Sequence, residues 1–255
     1  MISKLLLFDT ETTGIDKARC VQLAYKRFDA LTMVEEGKKH LMFKPPVPIE
    51  TGATAVHHIT NDAVKDCPPF SEILEPVQAL VNTCCLVAHN AKFDLGVLKN
   101  EGIDVSGVVH ICTYKLAVHL FPDFENHQLQ YLRYALNVDA EDFHKLQAHD
   151  ARTDVLVLEK VFNAILWKFL EDKYTNLDGD MTEDSIPEML EQMADMSSKP
   201  ILYPKIRFGK YKGKTFAELK LRDTGYLEWL QDAEGKKPAS DRDENLLFTI
   251  RHYLK

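Results

Sequence analysis

Four consecutive apolar residues, at positions 5–8, run directly into Asp9 and then Glu11. The run has strand length, and side chains two apart on a strand project to the same face. Two carboxylates therefore point into one small space at a strand end. Such a pair is electrostatically costly unless a cation lies between them, and a hard divalent ion such as Mg²⁺ or Mn²⁺ is its natural occupant. Thr12, Thr13 and Gly14 follow at once, small residues that let a ligand approach the backbone.

The rest of the chain supplies a sheet for that strand. Residues 20–28 and 38–43 are further strand candidates, which with residues 4–9 suggest an antiparallel meander. The segment KPPVPIETG then leaves the sheet, because proline has no N–H to donate to a ladder. A short helix after Thr60 and a longer one over 70–82 are expected, the latter kinked or starting late because Pro76 cannot sit in a helix interior. A short apolar strand, CLVAH, precedes a helix over 91–100, a strand over 108–111, and helices over 113–119, 127–136 and 150–170. Five strands, first in a meander and then alternating with helices, describe an α/β fold with a mixed sheet flanked by helices.

The length of 255 residues allows one full domain and a smaller module. No apolar run is long enough to cross a bilayer, and the opening segment reads as a strand, which points to a cytoplasmic protein without a membrane partner. Five cysteines, an odd number without a CxxC pair, fit reduced thiols. The net charge of −8 argues against a nucleic-acid partner until its distribution is considered. Nine acidic residues between Glu171 and Asp195 oppose Lys173 alone, whereas seven cations between Lys199 and Lys220 oppose only Glu218. The expected organisation is a domain over 1–170, an acidic linker over 171–198 with some helical potential at 186–196, and a basic module over 199–255.

Two further acidic motifs follow the first. In HNAKFDLGVL a strand ends at His89 and Asn90, and Asp94 lies near the first turn of a helix, which places a third carboxylate beside the same sheet edge. In HDARTD, His149 precedes Asp154 by five positions, ahead of the long apolar helix DVLVLEKVFNAILWKFL. Five residues of helix rotate the direction by about 140°, so the two cannot share a helix face. For both to reach one site, His149 must lie in the entering loop or the frayed first turn.

The three motifs together, FDTETTG, HNAKFD and HDARTD, resemble those of the DEDDh exonucleases, the DnaQ-like group that includes proofreading subunits of bacterial replicative polymerases. The resemblance spans essentially the whole first domain and implies a ribonuclease H-like sheet. It also implies a 3′–5′ exonuclease that uses two Mg²⁺ (or Mn²⁺) ions, held by Asp9, Glu11, Asp94 and Asp154, and releases 5′-mononucleotides. By the same resemblance Phe93 contacts the terminal nucleotide. The segment TAVHHIT is similar to the family's A-x-x-V-H-G-I-T, which carries His57 onto a position packing against that nucleotide, with His58 where glycine is usual. Thr12, Thr13 and Asn90 complete the expected substrate contacts. His149 would act as general base, since an unperturbed imidazole titrates near about 6.5.

In the C-terminal module, YPKIRFGKYKGKTFAELKLRDTGYLEWLQD suggests a strand, a tight Lys/Gly turn and a helix, a small basic α+β unit. Tyr226, Trp229 and Leu230 share a helix face expected to be core, and cations interleaved with Tyr203, Phe208 and Tyr211 suit phosphate contacts and base stacking. The module resembles the FGK-x-K/R-G-K unit of exodeoxyribonuclease X-like proteins, the family match the two regions share. The expected partner is nucleic acid with a free 3′ end, DNA in preference to RNA, and a homodimer is compatible with the fold. An RNA-trimming exonuclease, a polymerase proofreading subunit and a non-catalytic nucleic-acid binding protein are the competing readings. All four carboxylates are present, which disfavours the last.

Overall fold

The computed structural model describes residues 2–138, 148–174, 185–238 and 242–255, so Asp178, Asp180, Glu183 and Asp184 of the acidic stretch lie outside the described residues. Two compact units divide at Ser198 and Lys199.

The first unit is built on five strands: β1 (Lys4–Thr12), β2 (Cys20–Asp29), β3 (Glu35–Met42), β4 (Cys85–Ala88) and β5 (His110–Cys112). Their order is β3-β2-β1-β4-β5, with the first three antiparallel and β4 and β5 parallel to β1. The central position of β1 explains its unbroken apolar run, because both of its faces are covered. Leu5 and Leu7 enter one core with α7 (Ala151–Tyr174) and α8 (Ser185–Ser198), while Leu6 and Phe8 enter another with α3 (Leu74–Thr83) and α4 (Ala91–Asn100).

That alternation positions the acids. Asp9 and Glu11 continue the face of Leu5 and Leu7, the face against which Val157, Leu158, Val161 and Phe162 of α7 pack. Strand β4 pairs with β1 only as far as Leu7, so β1 overhangs its neighbour just where the acids begin.

The connecting helices are α1 (Thr51–His57), α2 (Asn61–Val64), α5 (Thr113–Leu120) and α6 (Leu129–Ala135). Helix α1, which the proline-rich segment does not announce, follows directly after Glu50. A 3₁₀ turn over Phe70–Ile73 precedes α3, so Pro76 is that helix's third residue, where a missing N–H leaves no intrahelical bond unmade. Residues 185–198, read from composition as part of a linker, form α8 on the first unit. Met189, Leu190 and Met193 are buried there. No helix among the described residues is long and apolar enough to cross a membrane.

The second unit packs α9 (Phe216–Arg222), α10 (Thr224–Gly235) and α11 (Glu244–Leu254) around Ile206, Phe216, Leu219, Leu227, Leu230, Leu246 and Ile250. The expected strand is reduced to one isolated bridge, Lys205 to Thr215, because Gly209 and Gly213 turn the chain through left-handed conformations before a ladder can extend. Among the described residues this unit is therefore helical, and the α+β expectation is corrected there. Trp229 is 59 % exposed, so the core reading of its helix face holds for Leu230 but not for Trp229.

Candidate active site

The four acids arrive on three elements, β1, α4 and α7. Asp9 and Glu11 ride on β1, with Ala24 and Gln22 opposite them on β2. Beyond the end of β4, the Thr10 N–H has no strand partner and instead donates to Asp94 Oδ1 at 3.1 Å, while the Thr10 hydroxyl donates to the same oxygen at 2.7 Å. The missing strand is replaced by a carboxylate from the first turn of α4. Asn90, in a left-handed conformation at φ 68°, starts that helix, a conformation asparagine tolerates better than most residues.

Asp154 is presented in a parallel way. Asp150 caps α7, its side chain accepting from the Arg152 N–H at 3.0 Å and the Thr153 N–H at 3.3 Å. His149, at φ 62°, lies in the loop just before the helix, where the spacing argument required it. Its backbone N–H donates to Asp154 Oδ2 at 2.9 Å, and Gln130 Nε2 donates to Oδ1 at 2.8 Å, so both carboxylate oxygens are aimed. The entering loop is fixed to the sheet by Gln22, whose Oε1 accepts from the Ala151 N–H at 2.8 Å.

The result is a crowded acidic pocket. Ligand-type atoms of Glu11, His149 and Asp154 lie within 4.8 Å of one another, with His149 exposed and the two acids buried. Burial first, then repulsion from Asp94, Asp154, Glu11 and Asp150, holds Asp9 well above the ordinary carboxylate range. Glu11 is pushed up to about 8 by burial and by the charges of Asp154, Asp94 and Asp150. Asp94 is raised to about 7 by burial, against the opposing effect of its Thr10 hydrogen bonds. Asp154 is raised by burial too, opposed by the His149 N–H. Such a set of oxygen donors, electrostatically uncomfortable together, fits a hard divalent cation.

The expected substrate contacts separate into two groups. Asn90 is exposed and Phe93 half-buried at the start of α4, where both keep surface available to a ligand. Thr12 at the end of β1, Thr13 in the loop after it and His57 at the end of α1 are buried together around that loop. The Thr12 hydroxyl donates to the Gly14 carbonyl at 2.8 Å, and the Thr13 hydroxyl accepts from the Arg19 N–H at 3.0 Å. His57 Nδ1 accepts from the Ile59 N–H, which leaves Nε2 to donate to the Thr12 carbonyl, each at 3.0 Å. Burial lowers its pKa, consistent with that neutral tautomer. His57 thus secures the loop after Glu11 through both nitrogens, and only its ring face remains for stacking.

Sequence reasoning missed Thr10, Gln130 and Gln22. Strand alternation assigns Thr10 to the face opposite Asp9, and Gln130 and Gln22 lie in elements with no acidic motif to mark them. Asp150, counted within a helix over 150–170, was missed as well, although an aspartate just before an apolar helix is the signal that could have found it.

A mixed β3-β2-β1-β4-β5 sheet whose central strand meets two helices in an acidic pocket defines a ribonuclease H-like nuclease. The profile of the RNase T exonuclease family matches residues 6–162, and the chain belongs to that exonuclease family. It is 29 % identical to exodeoxyribonuclease 10 of Escherichia coli K12 over 98 % of this chain and 99 % of the relative. It is 30 % identical to the DNA polymerase III subunit epsilon of Buchnera aphidicola subsp. Acyrthosiphon pisum, over 62 % of this chain and 71 % of the relative. Among solved structures, exonuclease X in complex with 5′ overhanging duplex DNA superposes with a TM-score of 0.55 at 25 % identity, covering 76 % of this chain and 99 % of that one.

Proposed function

We propose that this nuclease removes nucleotides from DNA 3′ ends, with Asp9, Glu11, Asp94 and Asp154 as the ligands of two Mg²⁺ or Mn²⁺ ions. The observation that carries the reading is the pocket itself, where carboxylates from β1, α4 and α7 lie close enough to repel one another, and none of them pairs with a lysine or arginine among the described residues. When bound, paired divalent ions offset the charge of a phosphodiester and of the oxygens entering and leaving it.

The chain's own groups supply the remainder. Asp9, which feels the charge of Asp94, Asp154 and Glu11 together, would hold the ions with them. Thr10 and Gln130 hold Asp94 and Asp154 in fixed orientations. His149, exposed at the pocket rim and pinned through its backbone to Asp154, accepts the proton of the attacking water and passes it to solvent. Asn90 and Phe93 receive the terminal nucleotide, with the loop braced by Thr12, Thr13 and His57 as the adjoining wall. The near full-length likeness to an exodeoxyribonuclease favours DNA over RNA and a cytoplasmic setting. A homodimer remains part of the proposal, to be read from sedimentation.

Strands labelled at the 3′ or the 5′ end, in DNA and RNA versions, test this with magnesium present. The 3′ label should be released as mononucleotide from the first turnover while the 5′ label shortens stepwise, faster for DNA. His149→Ala should lower kcat about 100-fold or more at neutral pH. Release of the 5′ label first, or full activity in that variant, would contradict the direction or the base respectively.

A further inference from the structure

The second unit carries thirteen lysines and arginines against eight acids, in a chain whose net charge is −8. Four of those acids are held at helix ends. Glu218 forms a capping box with Thr215, Asp223 and Asp243 cap α10 and α11, and Glu234 accepts from the Asp243 N–H and pairs with Lys237 at 2.8 Å. Between residues 205 and 214 there are five cations and no acid.

Beside these cations lies an aromatic ladder. Tyr211 and Tyr226 meet edge to face at 4.9 Å, and Tyr226 lies 5.5 Å from Trp229. Lys210 Nζ is 4.6 Å from the centre of the Tyr211 ring and pairs at 3.4 Å with Asp223, the carboxylate that also fixes Tyr211 through a hydrogen bond at 2.6 Å, so Lys210 flanks the ladder while Lys212 beside it is unpaired among the described residues. Gly209 makes the close approach possible, because a Cβ there would come within 3.2 Å of the Tyr226 hydroxyl, at a φ of 64°. Trp229 ends the ladder 59 % exposed, and Phe208, next to the glycine, is 43 % exposed. An indole this exposed has no role in the core of its own unit, which Leu227 and Leu230 fill from the same helix.

We infer that this face of the C-terminal unit, Phe208, Lys210, Tyr211, Lys212, Tyr226 and Trp229, binds single-stranded nucleic acid by stacking bases on Trp229 and neutralising phosphates with the adjoining lysines. Cations alone would suit any polyanion. Exposed ring faces beside them select one with planar bases, since stacking tolerates every base and complements a charged groove. Lys212 is exposed and has no ion pair among the described residues, so it is available to a phosphate. The inference rests on the nuclease reading only in that both take nucleic acid as ligand.

The full chain carrying Trp167→Phe leaves Trp229 as the single tryptophan. It is titrated with a twenty-nucleotide oligothymidylate in EDTA, which prevents cleavage, with binding followed by anisotropy of a label on the strand. Indole fluorescence should fall in step with binding. Trp229→Ala should weaken affinity about tenfold or more, and Trp229→Phe should restore most of it. Lys212→Ala should lower the slope of log affinity against log salt by about 0.7. Unchanged indole fluorescence at saturation, wild-type affinity in Trp229→Ala, or equal quenching by poly-glutamate would overturn the inference. Hydrolysis of the same strand on adding magnesium, scored separately, distinguishes that failure from a failure of the nuclease assignment.

Discussion

Thr10 shows how one residue can serve a site from the wrong side of a strand. Its backbone N–H and its hydroxyl both donate to one oxygen of Asp94, replacing a ladder bond that β4 is too short to supply. Removing the hydroxyl while keeping the shape leaves Asp94 half restrained. Thr10→Val should reduce Mn²⁺ affinity about 10- to 100-fold by calorimetry, with the fold intact and Thr10→Ser close to wild type. Affinity unchanged in Thr10→Val would mean that the backbone N–H alone orients the carboxylate. Asp9 and Glu11 could be read as two carboxylates on one face at the end of an apolar strand, whereas Asp94 and Asp154, on helices, were singled out chiefly by the resemblance of their motifs. Thr10 was not, since its contact depends on where a neighbouring strand stops.

At the scale of elements, the two helices that bring Asp94 and Asp154 are each entered through a left-handed residue, Asn90 and His149. A third such residue, His58, ends α1 at φ 61°, where its N–H bonds to the Thr54 carbonyl. Glycine takes that conformation without a clash with Cβ, which agrees with the glycine in the family pattern that TAVHHIT resembles. His58→Gly should raise stability by about 0.5–1 kcal/mol in denaturant titration. A loss of stability would show that the imidazole makes a compensating contact.

Strands β1, β2, β4 and β5 could be read from apolar runs, but β3 only over its latter part, because the EEG at its start is polar; Pro76 signalled either a kink or a late start, and the structure has the late start. Helix α1 could not be read, because TGATAVH carries no apolar period; α8 was anticipated only as helical potential over 186–196, its three acids balancing in number the buried Met189, Leu190 and Met193 and giving no sign that it packs on the first unit. The exposure of Trp229 was equally unreadable, since helical spacing does not reveal how wide a face a small core can cover.

For the whole molecule, the acidic pocket sets a price in stability. Glu11 and Asp94 have folded-state pKa values near 8 and 7, above their ordinary 4.5 and 3.8, so each favours folding when protonated and loses that contribution as pH rises through the folded value. The chelated chain should therefore lose about 2 kcal/mol or more between pH 6.5 and 8. His57 and His89, whose pKa values burial lowers, are neutral in both states over most of that window and do not offset it. Saturating Mg²⁺ should flatten the profile, as measured by thermal unfolding at each pH. A chelated chain that gains stability over this interval would show the carboxylates to be ionised and already neutralised by other means.

The central claim is that acids separated by as many as 145 positions, from Asp9 to Asp154, meet to hold divalent cations at a scissile phosphate. Anomalous diffraction from crystals of the chain soaked with Mn²⁺ and a nucleoside 5′-monophosphate measures this directly. Two Mn²⁺ peaks are predicted among the oxygens of Asp9, Glu11, Asp94 and Asp154, with the phosphate between them and the His149 ring. A bound nucleotide with no metal peak in that pocket would contradict the account.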